Sequence, residues 1–187
     1  AILIDNRTMQ VKALIGSGDY FNRAIEGQIN GTSIKRSPAS TLKPFIYALA
    51  FEQGKMHAET VLKDIPTAFN DYLPENYEGN FLGPISVTQA LLQSRNIPAI
   101  DAAAQLKPDL YDWLTRVGIH LPKDKVHYGL TVALGGAELS MQQLATLYAM
   151  LANGGQWKPL QWRAKVRSEI GKNVLTSEAV FMVNDIL

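Results

Sequence analysis

The stretch that decides the fold of this 187-residue chain is R-S-P-A-S-T-L-K-P-F-I-Y, residues 36–47. Apolar residues recur at helical spacing over residues 41–53, and Gly54 follows as a stop, which predicts a helix. A proline is tolerated in the first turn of a helix but not deeper, so Pro44 places the helix start at about Ser40. Ser40 is then the expected N-cap.

Ser40 and Lys43 are three residues apart and therefore share one face of the predicted helix. Partial burial and the positive end of the helix dipole both favour the neutral, basic form of such a lysine. A neutral lysine accepts the serine's proton and makes Ser40 a nucleophile, while the Ser40 N–H in the first turn is able to donate to an oxyanion. Taken alone, S-x-x-K is also typical of an ordinary helix start with a capping serine and a solvated lysine.

A second polar pair, Ser94 and Asn96, stands about fifty residues further on, in a short turn between two predicted helices. A hydroxyl in such a turn can relay a proton, and an amide can hold a peptide group by accepting and donating together. Serine and asparagine are also ordinary capping residues at helix boundaries, so this pair by itself indicates little.

The rest of the chain is predicted to be rich in helices. Residues 2–16 are predicted to form a β-hairpin and residues 55–85 a long irregular connection. Further helices are predicted at residues 87–94, 98–106, 108–117, 141–153 and 176–187. A two-stranded ribbon is marginal alone, so either the helices bundle by themselves or more strands of the domain lie beyond Leu187.

Composition excludes several classes of protein. Lys and Arg number 18 against 17 Asp and Glu, so no net field favours nucleic acid or an anionic membrane. The longest apolar run, residues 45–51, is far shorter than the ~18 residues of a membrane span. The chain has no cysteine, and His57, His120 and His127 lack the spacing of a metal pair. No metal site is therefore predicted.

Four carboxylates in the proline-rich connection offer a possible acid–base couple. They are Asp64 with Asp71, and Glu75 with Glu78. Two carboxylates flanking a scissile bond are typical of glycoside hydrolysis. In a loop of this composition we interpret them instead as solvated or capping residues.

In order and spacing, S-x-x-K and S-x-N resemble the motif pair of penicillin-interacting serine enzymes. The flanking sequence resembles the transpeptidase domain of class A penicillin-binding proteins, and among these the 1C type. Ala39 departs from the family pattern, in which a glycine is usual at this position. Further matching segments are Y-F-N-R-A at 20–24, Y-L-P-E-N at 72–76, G-P-I-S at 83–86, A-L-G-G at 133–136 and the helix ending in A-N-G-G at 141–155.

The resemblance implies an α/β (α+β) fold of the penicillin-binding protein and β-lactamase type, helix-rich with an N-terminal β-hairpin. It implies that Ser40 attacks a D-Ala-D-Ala stem peptide with Lys43 as base, that Ser94 passes the proton, and that Asn96 orients the substrate amide. Peptidoglycan stem peptides would be cross-linked, and β-lactam antibiotics would acylate the same serine. No cofactor, metal or nucleic acid is implied.

The family's third motif, K-[TS]-G, does not occur in the 187 residues. We therefore predict that residues 1–187 are a partial transpeptidase domain whose C-terminal strands are missing. Since a lost oxyanion donor costs about 10²–10³ in rate, this piece alone is expected to be poorly active or inactive.

The resemblance also implies a parent protein at the periplasmic face of the inner membrane, with an anchor and a glycosyltransferase module outside this chain. Two alternatives stay open. The first is a D,D-carboxypeptidase or β-lactamase-type hydrolase, in which water is the acceptor. The second is a non-catalytic scaffold with the same fold.

Overall fold

The computed structural model of this protein describes residues 1–69, 72–163 and 170–187. Asp71, one of the carboxylates considered above, lies outside the described residues. Over the described ranges, no helix is long and apolar enough to cross a bilayer. In the same ranges, no group of three His, Cys, Asp or Glu residues is gathered closely enough to hold a metal ion.

Short strands and helices alternate along the described part of the chain. The strands are β1 Ile2–Ile4, β2 Val11–Leu14, β3 Lys35–Arg36, β4 Val61–Asp64, β5 Gly83–Ser86, β6 Leu139–Ser140, β7 Gln156–Trp157 and β8 Lys172–Asn173. The α-helices are α1 Lys43–Glu52, α2 Val87–Leu92, α3 Asn96–Ala104, α4 Leu110–Arg116, α5 Lys125–Tyr128, α6 Met141–Ala152 and α7 Ser177–Ile186. The 3-10 helices are Arg23–Ile25, Ala39–Leu42 and Gly129–Leu134.

The first of two compact units comprises residues 1–37 and 138–174. In it β1 and β2 pair antiparallel, which confirms the predicted hairpin. Helix α6 packs against β1 and β7 and begins with a capping box in which Ser140 and Gln143 bond each other's backbone N–H. The helix predicted at 141–153 is thereby confirmed.

The second unit comprises residues 38–137 and 175–187, and its core is α1. Every residue of this helix from Lys43 to Phe51 is buried, as expected of a helix that is apolar all round. It packs against α3 and α7, and the ring of Phe45 stacks on Trp113 of α4 with the centroids 5.8 Å apart. The segment that carries Ser40 is therefore attached to a helix that is buried along almost its whole length.

The predicted start of this helix is wrong. The α-helix begins at Lys43, and Ser40 is not its N-cap but lies in the preceding 3-10 helix, Ala39–Leu42. The Lys43 N–H donates to the Ser40 carbonyl, which is the i to i+3 bond of that tighter turn. Because a 3-10 helix has three residues per turn, Ser40 and Lys43 still lie on the same face.

Two predictions about sheet structure also need correction. Sheet structure extends beyond the predicted hairpin, because three more antiparallel ribbons pair β3 with β6, β4 with β5, and β7 with β8 among the described residues. Residues 55–85 are therefore not irregular throughout. These strands have two to four residues, too few for an alternating pattern, so their pairing is not readable from local sequence.

The remaining predicted helices are found as α2, α3, α4 and α7, with ends shifted by up to two residues. Thr176 caps α7 by accepting the Ala179 N–H. The mixture of helices with small antiparallel sheets confirms the predicted fold class.

We predict that Phe45→Ala lowers the free energy of unfolding by about 3–5 kcal/mol, because it opens a cavity beneath the site. Phe181→Ala is the matched control. Phe181 lies on α7 of the same unit but is 67% exposed, so its loss is expected to change stability by at most about 0.5 kcal/mol. Urea denaturation of both variants measures the difference, and equal losses would contradict the assignment of α1 as the core.

Candidate active site

The ammonium group of Lys43 is held by the turn that joins α2 to α3. Its Nζ donates to the carbonyl oxygen of Ser94, to Ser94 Oγ at 3.1 Å and to Asn96 Oδ1 at 2.7 Å. The three acceptors match the three N–H donors of an ammonium group. Lys43 is only 1% exposed, so these oxygens replace the water that its charge would otherwise require.

Burial and, to a smaller extent, the nearby positive charge of Arg95 together lower the pKa of Lys43 to about 8. The desolvation cost outweighs the stabilisation that the three oxygen contacts give the charged form. Near neutral pH a usable fraction of this lysine therefore carries a free lone pair, which is the property required of a general base.

When Lys43 is neutral, Ser94 is the one of its hydrogen-bond partners that can donate a proton to it. A neutral amine has two N–H donors and one lone pair, so one of the three oxygens must then donate instead of accepting. The carbonyl of Ser94 and the Oδ1 of Asn96 carry no hydrogen, whereas the Ser94 hydroxyl does. The geometry thus provides a path for a proton between Ser94 Oγ and Lys43 Nζ.

Ser94 occupies a backbone conformation that usually belongs to glycine. Its φ is 53°, in the left-handed region, and it follows the C-cap of α2. The Ser94 N–H donates to Leu91 and the Arg95 N–H to Ala90, which together form a Schellman motif.

Among the described residues, three other α-helices end in the same bonding pattern with a glycine at the equivalent position, whereas the 3-10 helix Arg23–Ile25 ends in it with Glu26. These glycines are Gly54 after α1, Gly118 after α4 and Gly154 after α6. A side chain in the left-handed region costs about 1–2 kcal/mol relative to glycine. Ser94 thus presents its hydroxyl to Lys43 from a backbone conformation that a glycine would adopt without strain.

Asn96 is the first residue of α3, and both ends of its amide are bonded. Its Oδ1 accepts from Lys43, and its Nδ2 donates to the Glu75 carbonyl at 2.7 Å. The lysine fixes which way the amide points, because only the oxygen can accept. One N–H of Nδ2 and one lone pair of Oδ1 remain for another ligand.

Ser40 lines the same cleft as the turn. The cleft has a volume of about 390 Å³. Its wall is formed by Ser40, Asn76, Tyr77, Glu78, Gln93, Ser94, Arg95, Asn96 and Leu134. Of the four predicted site residues, Lys43, Ser94 and Asn96 are thus joined by hydrogen bonds, and Ser40 stands at the wall that Ser94 and Asn96 share.

Ala39, where the family usually has glycine, has a φ of 47°. This is again the left-handed region, where glycine has no steric penalty. The geometry of the 3-10 helix that carries Ser40 therefore explains the usual glycine, and this chain tolerates alanine there with some strain.

One interpretation of the carboxylates is wrong. Asp64 is not solvated but fully buried, and it forms an ion pair with Arg95, whose Nε lies 2.8 Å from Asp64 Oδ2. Asn76 is buried in the same network. The burial of Asp64 was not predictable from the sequence, because its hydrogen-bond donors lie 12 to 31 residues away along the chain. The residues next to it do not distinguish a buried aspartate from a solvated one.

Comparison with known proteins identifies the family to which the chain belongs. The family model described as the penicillin binding protein transpeptidase domain matches residues 1–187. The chain therefore belongs to that family, and the resemblance recognised in its sequence is confirmed.

Among curated proteins, the chain is similar to penicillin-binding protein 1C of Escherichia coli strain K12, with 34% identity over 158 residues, or 83% of this chain and 20% of that protein. It is also similar to penicillin-binding protein 1F of Bacillus subtilis strain 168, with 30% identity over 178 residues, or 93% of this chain and 24% of that protein. The chain thus spans about a fifth to a quarter of the length of these relatives.

We predict that Ser94→Gly is more stable than Ser94→Ala by about 1 kcal/mol. Both variants lose the hydroxyl, so their difference reports the backbone strain alone. The neighbouring Gln93 has a φ of −91°, and there the order should reverse, with Gln93→Gly less stable than Gln93→Ala. Thermal denaturation of the four variants measures both differences, and the same order at both positions would contradict the left-handed assignment of Ser94.

Proposed function

We propose that this chain carries the acyl-transfer site of a peptidoglycan D,D-transpeptidase. The observation that carries the proposal is a buried lysine of lowered pKa, held by Ser94 and Asn96 beside a cleft that Ser40 also lines. Membership of the transpeptidase domain family supports the same conclusion.

In the proposed reaction Ser40 Oγ attacks the carbonyl carbon of the penultimate D-Ala, and its proton passes to the neutral amine of Lys43. The C–N bond then breaks, D-Ala leaves after taking up a proton returned through Lys43 and Ser94, and an acyl-enzyme remains. An amino group of a second stem peptide attacks the ester, forming the cross-link and restoring the Ser40 hydroxyl. A β-lactam would follow the first half of this path by opening its ring.

Two further groups would act on the substrate. The Ser40 N–H, in the first turn of its helix, would donate to the developing oxyanion. Asn96 would use its remaining N–H and lone pair to align the substrate amide. Both roles require only atoms at or beside the cleft wall.

For the whole protein, we propose the context that the class A resemblance implies. The substrate places the site at the periplasmic face of the inner membrane. A membrane anchor and a glycosyltransferase module would belong to the same protein, outside this chain. No cofactor enters the proposed mechanism.

The first test is covalent labelling. We predict that the full-length protein that carries this chain forms a one-to-one adduct with a fluorescent penicillin, and that Ser40→Ala abolishes it. Ser33→Ala, an exposed serine upstream, is the control and should label normally. Intact-mass spectrometry and peptide mapping identify the adduct. Absence of any adduct on the wild-type protein would favour the non-catalytic scaffold.

The lifetime of the adduct separates transpeptidase from hydrolase. We expect the acyl-enzyme to persist for many minutes after unbound penicillin is removed, since no water-activating base is proposed. Glu78 is the carboxylate that lines the cleft among the described residues, so Glu78→Gln is the informative variant. Rapid loss of label that this substitution slows strongly would instead establish a hydrolase.

The pH dependence of labelling tests Lys43. Since the base form is required and its pKa is about 8, roughly one-tenth of the molecules are active at pH 7. The acylation rate should therefore rise about tenfold per pH unit below pH 7 and level off above about 8. Stopped-flow labelling measures the profile. A rate that is flat between pH 6 and 9 would rule out Lys43 as the base.

A further inference from the structure

A buried ion pair lies directly behind the turn that carries Ser94 and Asn96. Arg95, the residue between them, is 3% exposed, and its Nε donates to Asp64 Oδ2 at 2.8 Å. Asp64 ends strand β4 and is 0% exposed. Neither Arg95 nor Asp64 takes part in a step of the proposed reaction.

The same carboxylate collects two more donors. The Leu82 N–H reaches Asp64 Oδ2 at 3.0 Å, and Asn76 Nδ2 reaches Asp64 Oδ1 at 2.7 Å. Asn76 in turn accepts the Asn96 N–H at 2.8 Å. Asp64 is therefore linked to the turn twice, through the side chain of Arg95 and through Asn76 to the backbone of Asn96.

The guanidinium of Arg95 also binds the segment that covers the turn. Its Nη2 donates to the side-chain oxygen of Asn80 at 2.9 Å and to the carbonyl of the same residue. Its Nη1 lies 3.2 Å from Glu78 Oε2. The guanidinium of Arg95 thus binds Asp64, Glu78 and Asn80 at the same time.

All three hydrogen-bond partners of Asp64 are donors, and they occupy both of its oxygens. The position therefore requires a carboxylate, in which both oxygens accept. An asparagine at this position would place its NH₂ against a donor whichever way its amide turned. A buried ion pair adds little to net stability compared with an apolar pair of the same volume, whereas removal of one partner leaves an unpaired buried charge. A role in fixing the geometry of the turn explains the ion pair better than a contribution to net stability does.

Resting on the function proposed above, we propose that Asp64 and Asn76 are positioning residues for acyl transfer. They fix the strained turn at Arg95, so that Ser94 and Asn96 hold the amine of Lys43 in line with Ser40. Small misplacements of reacting groups cost as much as about 10²-fold in rate. Loss of the anchor should therefore slow acylation without weakening the initial capture of the β-lactam.

The test measures acylation of the full-length protein by a fluorescent penicillin over a range of concentrations. This separates the first-order acylation constant from the constant for reversible binding, and the labelling end point gives the fraction of competent protein. For Asp64→Asn we expect the acylation constant to fall at least about tenfold. The binding constant should stay within about twofold, and the labelled fraction should stay near that of wild type when measured well below the melting temperature.

A second variant guards against misfolding. Asn76→Ala removes the link to the Asn96 backbone without leaving a buried charge, and it should slow the same step. Asp101→Asn is the matched control. It makes the same chemical change on α3, where Asp101 bonds to Gln105, and it should label at close to the wild-type rate.

Three outcomes would overturn the proposal. Wild-type acylation constants in both Asp64→Asn and Asn76→Ala would show that the anchor is not needed. A fall in the labelled fraction with an unchanged rate per competent molecule would show a purely structural role. A wild-type protein that is not labelled at all would remove the proposed function itself, and with it this inference.

Discussion

The bonding of the Lys43 ammonium group to the Ser94–Asn96 turn is the interaction on which the rest of the site depends. A buried cation without hydrogen-bond partners has a very high free energy. Movement of the Ser94–Asn96 turn away from a charged Lys43 is therefore strongly unfavourable. The position of Lys43 is fixed as well, because α1 is buried along almost its whole length. One side chain thereby holds together two segments that lie about fifty residues apart in the chain.

The same interaction defines the chemistry. Burial increases the fraction of the amine that is neutral near neutral pH, and of its three oxygen partners only the Ser94 hydroxyl can return a proton. The turn supplies this hydroxyl at the cost of a left-handed backbone at Ser94. Strain of this kind persists only where surrounding structure enforces it. The buried ion pair of Asp64 and Arg95 lies next to Ser94, where it can hold the turn in its strained conformation.

Much of the fold was predictable from the sequence, because its helices are bounded by strong local features. Gly54 and the pair Gly154-Gly155 end helices where expected, and Thr176 starts one. The failures have a common cause. The β4–β5 ribbon and the burial of Asp64 depend on residues about twenty to thirty positions away, and neither leaves a periodic pattern. Helix α1 began later than expected because the chain first forms a 3-10 helix at Ala39–Leu42.

By itself, the sequence determined that a hydroxyl and an amine share one face, because a spacing of three residues has that result in either an α-helix or a 3-10 helix. It also determined the family, through the order of its motifs. Only the tertiary structure decided that Lys43 is buried, which oxygens bind it, and that Asp64 supports the turn from behind. Local spacing follows from the geometry of one segment, whereas burial and bonding partners come from contacts between segments far apart in the chain.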